Sequence, residues 1–107
     1  MAPVEMAVDL YYRWESALNG KPLIGTEGAR VLVFNAGYSL QDGLFLITGR
    51  GEAGDLCAIE RSVMELPHGA TVALELPSYE LNAPLETLTI RLMRAEFAPD
   101  GAEARKA

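Results

Sequence analysis

The stretch from Asn35 to Gly43 reads Asn-Ala-Gly-Tyr-Ser-Leu-Gln-Asp-Gly, and it collects the groups best suited to hold a small ligand. The carboxamide of Asn35, the hydroxyl of Ser39 and the carboxylate of Asp42 can donate or accept hydrogen bonds. Gly37 and Gly43 allow close approach to the backbone. The same residue types are the usual makers of β-turns. The sharper reading is the remnant of a ligand-binding turn carried by Asn35, Ser39 and Gly43. The plainer reading is a turn and nothing more.

The other reactive side chains stand alone. His68 lies in a Pro-His-Gly turn with no nucleophile nearby in sequence, so a general-base role has no partner to act on. Cys57 is flanked by Leu56 and Ala58, which fits a buried, unreactive thiol. One cysteine permits no internal disulfide, and Cys57 with His68 cannot anchor a zinc site of about four ligands. The glycines around Arg50 suggest a phosphate cradle, but no Gly-Lys-Ser opening a helix follows them. No cofactor is expected. An enzyme would need a carboxylate pair that only the fold could bring together.

Charge and hydropathy narrow the class further. The 107 residues amount to one domain, and half are hydrophobic, enough for a core without staples. Net charge is -6, from 15 acidic against 9 basic residues, with no basic stripe of the kind a nucleic acid requires. The acidic balance suits solubility or a basic protein partner. No apolar run approaches the roughly 20 residues of a membrane-spanning helix. Met1-Ala2-Pro3-Val4-Glu5 does not read as a signal peptide, so the expected compartment is the cytoplasm.

Hydrophobic periodicity assigns the elements. Val4, Met6, Val8, Leu10, Tyr12 and Trp14 alternate with more polar neighbours, which predicts a strand over 4–14. A helix with Pro3 at its first position is the competing reading, and the Tyr-Tyr-Arg-Trp run favours the strand. Asn19-Gly20 marks a tight hairpin turn. Val31-Leu32-Val33-Phe34 and Leu44-Phe45-Leu46-Ile47 predict strands buried on both faces, with loops at 21–28, 35–43 and 49–55. Segment 56–66 fits a short helix or a strand equally well. Pro67-His68-Gly69 is a turn, and Ala70 to Leu76 alternates as a strand stopped by Pro77. Residues 78–85 read as a loop. Leu88, Ile90 and Leu92 alternate on even positions, then Met93, Ala95 and Phe97 on odd ones. That slip predicts a β-bulge near Met93-Arg94. Residues 98–107 read as a flexible tail after a 1–97 domain. The fold class is all-β, a small antiparallel barrel, with a β-sandwich as the alternative.

The order of these pieces resembles a PilZ domain, the small β-barrel module of bacterial cyclic di-GMP signalling. Residues 3–13, Arg30 to Asn35, Ser39 to Leu46, and Leu66-Pro67-His68-Gly69 through Pro77 resemble the family's first strand, second strand, serine-glycine turn and LPxGxxVxLxLP hairpin. The stretch between Leu46 and Leu66 is longer than usual for the family, and two of its motifs are altered. Its ligand-binding members carry an RxxxR motif before the first strand, whose guanidinium forks grip phosphate and guanine; here only Met1-Ala2-Pro3 stands there. Its D/NxSxxG motif is met by Asn35, Ser39 and Gly43, each step being too long. The resemblance therefore implies a degenerate, non-catalytic regulatory or adaptor module. Its expected partner is a protein in motility, pilus or biofilm control, and cyclic di-GMP is not expected to bind. A small accessory or structural binding protein, phage- or secretion-linked, is the alternative.

Overall fold

The computed structural model describes residues 1–18, 21–22, 28–51, 56–77 and 85–98. Among these, every regular element is a strand. They run β1 (Ala2–Pro3), β2 (Leu10–Trp14), β3 (Ala17–Leu18), β4 (Lys21–Pro22), β5 (Ala29–Asn35), β6 (Leu40–Gly51), β7 (Leu56–Leu66), β8 (Thr71–Leu76) and β9 (Leu85–Phe97). The all-β reading is correct, and segment 56–66 is strand throughout. Among its described side chains, Ile59, Val63 and Leu66 are buried.

The long strands form two antiparallel sheets, ordered β1-β2-β5-β8 and β7-β6-β9, and β3 pairs with β4. The two sheets are not closed into one barrel. Their inner faces share a core of Val31, Val33 and Leu10 from one sheet with Phe45, Ile47 and Ile90 from the other. Each such side chain, removed from water, contributes about 2 kcal/mol.

The runs expected to be buried on both faces are buried on one. Val31, Val33, Phe45 and Ile47 are fully enclosed, while Leu32, Phe34, Leu44 and Leu46 are half-exposed on the outer faces. A two-layer arrangement offers each strand a single dry side, whatever the hydrophobicity of the other.

The seams between the sheets differ. On one side the Glu5 N–H donates to the Ile90 carbonyl at 2.8 Å, and the Leu92 N–H donates to the Glu5 carbonyl at 2.9 Å. Glu5 thus stitches the segment between β1 and β2 to β9. On the other side β7 and β8 share no ladder. Arg61 spans the gap, its Nε donating to the Glu75 carbonyl at 3.0 Å. Its register sets it opposite Phe45.

Several boundaries are corrected. The predicted strand over 4–14 begins only at Leu10. Met6 and Asp9 take positive φ, both 61°, which breaks the extended path and leaves Met6 and Val8 in solvent. The alternation holds from Leu10 onward, where Tyr12 and Trp14 pack against the core. The loops expected at 35–43 and 49–55 are shorter: Leu40 to Gly43 and Gly49 to Gly51 belong to β6, and 52–55 lie outside the described residues. The Pro67-His68-Gly69 turn is present, with Gly69 at φ 82° and the Ala70 N–H donating to the Pro67 carbonyl. It does not join a hairpin: it carries the chain from one sheet to the other.

The bulge near Met93-Arg94 is present. Leu44 pairs with Arg94 and Phe45 with Leu92, so β9 spends two residues where β6 spends one. A complementary shift lies at Asp42, with φ 50°, between the Gln41–Glu96 and Leu44–Arg94 pairs. The Asn19-Gly20 turn, residues 78–84 and the tail 99–107 lie outside the described residues, as does the Cys57 side chain, whose backbone pairs with Gly49.

Candidate functional site

Asn35 is the last residue of β5 and the one fully buried polar residue in the described core. A buried carboxamide must find partners or cost several kcal/mol. Asn35 finds three. Its Nδ2 donates to the Tyr38 carbonyl at 2.7 Å and to the Leu66 carbonyl at 2.9 Å. Its Oδ1 accepts the Gly37 N–H at 2.8 Å, closing an Asx turn. Its backbone is equally engaged, the N–H donating to the Ala70 carbonyl and the carbonyl accepting the Gly69 N–H. One residue therefore fixes the 36–39 turn, the end of β7 and the 67–70 turn against each other.

Ser39 and His68 complete this knot. The Ser39 Oγ accepts the His68 N–H at 3.3 Å. The His68 Nδ1 lies 2.8 Å from the Gly37 carbonyl, so Nδ1 carries the proton and donates. His68 is thereby a clasp between two turns, with its ring half-buried. The Ser39 carbonyl accepts the Ala98 N–H at 2.8 Å, which ties the end of β9 to the same place.

The three residues nominated from sequence do not converge. Asn35 and Ser39 meet in the knot. Gly43 lies apart, inside β6 opposite Val63. A Cβ on Gly43 would come within 2.6 Å of the Leu40 Cδ2, so the glycine answers to core packing. Gly37 is constrained in a similar way: its Cβ would stand 2.9 Å from the Asp9 Cβ. What the glycines have in common is a close neighbour within the protein.

Around the knot stand residues that sequence reasoning placed wrongly or passed over. The Ala36 N–H donates to the Asp9 carbonyl at 2.8 Å, so segment 4–9 lies beside the 36–39 turn. Met6 and Val8 on that segment are among the most exposed large apolar residues described, and Tyr38 is 43% exposed. The signal for Met6 and Val8 was present but misread, since a period-two pattern implies a buried face only if the backbone stays extended.

Tyr12 lies deeper between the sheets. Its hydroxyl donates to the Leu88 carbonyl at 3.2 Å. Burial raises its pKa above the usual 10.0, and the Glu5 carboxylate raises it further. Arg30 pairs with Glu15 at 3.2 Å and Glu75 at 3.6 Å on an exposed face, where solvent screens the attraction. No group of three or more metal-ligating side chains occurs among the described residues. Among the described residues, no helix is long and apolar enough to cross a membrane. Compared with known proteins, the chain matches no family model, no curated protein and no solved structure.

Proposed function

We propose that the protein is a non-catalytic regulatory or adaptor module that binds a protein partner through the surface beside the Asn35 knot. The observation that carries this reading is segment 4–9. There Met6 and Val8 are held in solvent by two non-glycine residues at positive φ. For L-residues that backbone costs about 1–2 kcal/mol, and such strain concentrates at functional positions.

The PilZ-like resemblance adds the context of bacterial motility, pilus or biofilm control and a barrel-like fold. The reading excludes cyclic di-GMP as ligand. In support, the Asn35 carboxamide is spent on Tyr38, Leu66 and Gly37. The alternative, an accessory or structural binding protein on an unrelated β-sandwich, is favoured by one observation, the lack of a β7–β8 ladder. Calorimetry with cyclic di-GMP tests the ligand side. No binding is expected; a micromolar dissociation constant, about -8 kcal/mol, would overturn it. The partner side is tested by capture from the native lysate, in which the Met6→Ser/Val8→Ser double variant loses a protein that the parent retains.

A further inference from the structure

The pole of the molecule that carries Met6 and Val8 is built from four segments, residues 6–9, 36–42, 65–70 and 96–98. Main-chain hydrogen bonds join three of them. Asp9 is bonded to Ala36, and Ser39 to Ala98. Val8, Tyr38 and Phe97 each stand one residue from one of those bonds, and they are 76%, 43% and 43% exposed. Met6 is 72% exposed and stands one residue from Glu5, which is stitched to Leu92. These side chains supply apolar anchors at one end of the fold, where exposed apolar groups in number mark interaction sites.

Charge at this pole is predominantly negative. The four segments contain Asp9, Asp42, Glu65 and Glu96, and neither lysine nor arginine. Gln41 pairs with Glu65 on one side and with Glu96 on the other, so two of these carboxylates flank β6 at one level of the sheet. Asp42 follows directly and is exposed. Of the strand arginines, Arg30 and Arg50 sit toward the opposite ends of β5 and β6, Arg13 lies opposite Leu32, and Arg61 is engaged at the β7–β8 seam. Arg91 and Arg94 stand closer, on β9 opposite Leu46 and Leu44, with Arg94 two residues before Glu96. An apolar centre with an acidic rim disfavours a second copy of the same pole, which would bring like charges together. It equally disfavours an anionic membrane or a nucleic acid.

Resting on the protein-binding reading above, we infer that this pole receives a basic amphipathic segment of a partner protein, with aliphatic or aromatic anchors on Met6, Val8, Tyr38 and Phe97 and lysine or arginine facing Asp9, Asp42, Glu65 and Glu96. The apolar contacts supply affinity. The carboxylates steer the approach and select the sign of the partner.

The test uses the full-length chain to select from a library of random peptides displayed on phage. The expected outcome is a consensus of apolar residues flanked by lysine or arginine. Synthetic peptides of that consensus should bind the Met6→Ser/Val8→Ser variant at least about tenfold more weakly. Their affinity should fall as salt rises from about 0.01 to 0.15 M, which shortens the screening length from about 30 to about 8 Å. Asp42→Asn/Glu96→Gln should weaken binding and flatten that salt dependence. A neutral or acidic consensus that still requires Met6 and Val8 overturns the basic class and leaves the protein-binding surface standing. Peptides indifferent to Met6 and Val8, or no selection above blank beads, overturn both.

Discussion

The Asn35 knot and segment 4–9 are joined by a hydrogen bond, Ala36 to Asp9, yet they resolve their chemistry in opposite directions. The knot has polar side chains and turns them inward, where carboxamide, hydroxyl and imidazole all find partners within the fold. Segment 4–9 has apolar side chains and turns them outward, on a backbone that an unconstrained chain would avoid. The polar residues that look like a site are structural, and the apolar residues that look like a core strand are available for recognition. Satisfaction of buried polar groups accounts for the first. The second has no account in folding energetics, which is why it is read as function.

This contrast can be broken by measurement, and the largest effect is expected at its inward half. Asn35→Ala strands the Gly37 N–H and the Tyr38 and Leu66 carbonyls at once. Urea melts should show a loss of about 3–4 kcal/mol, at the severe end of single substitutions. A loss under about 1 kcal/mol would mean that the knot is not the brace described.

Gly43→Ala comes next. Its Cβ would press on Leu40, itself fully buried, and the cost should be about 1–3 kcal/mol. If Gly43 instead served a ligand, the substitution would leave stability untouched.

Tyr12→Phe removes one hydrogen bond and should cost about 1 kcal/mol at neutral pH. Its pH dependence carries a definite sign. The folded state raises the Tyr12 pKa above 10.0, so folding favours the protonated phenol. That contribution is complete below pH 10.0 and is lost as pH rises through the higher folded value. The parent should therefore lose stability in alkali more steeply than Tyr12→Phe, as followed by melts across that range.

The smallest expected effect on stability falls on the outward half. Val8→Ser should shift the melt by no more than about 0.5 kcal/mol, as an exposed change does, while partner capture is lost. Stability loss of a core mutation at this position would return Val8 to the strand that the alternation predicts.

The sequence made the fold class legible because one dry face per strand leaves a period-two trace, clearest in Thr71 to Leu76 and Leu88 to Leu92. Even the bulge at Met93 could be read, since a phase slip in that trace has few other causes. The break at Met6 could not, because methionine gives no sign of positive φ and the apolar pattern ran straight through it. Nor could the roles of Asn35, Ser39 and Gly43. Their residue types suit a ligand and a turn equally, and only the distances to Leu66, His68 and Leu40 decide between them. The division of the strands between two sheets was likewise invisible, since a turn such as Pro67-His68-Gly69 looks alike whether it closes a hairpin or crosses a core.

The most direct test of the recognition surface is photo-crosslinking in the native cell, with benzoylphenylalanine placed at Val8 in one strain and at Thr87 in another. Thr87 is exposed and pairs with Arg50, at the other end of β6 from Gln41 and Asp42. The account predicts a single discrete adduct from Val8 and none from Thr87. Adducts of equal yield from both positions, or none from Val8, would contradict it.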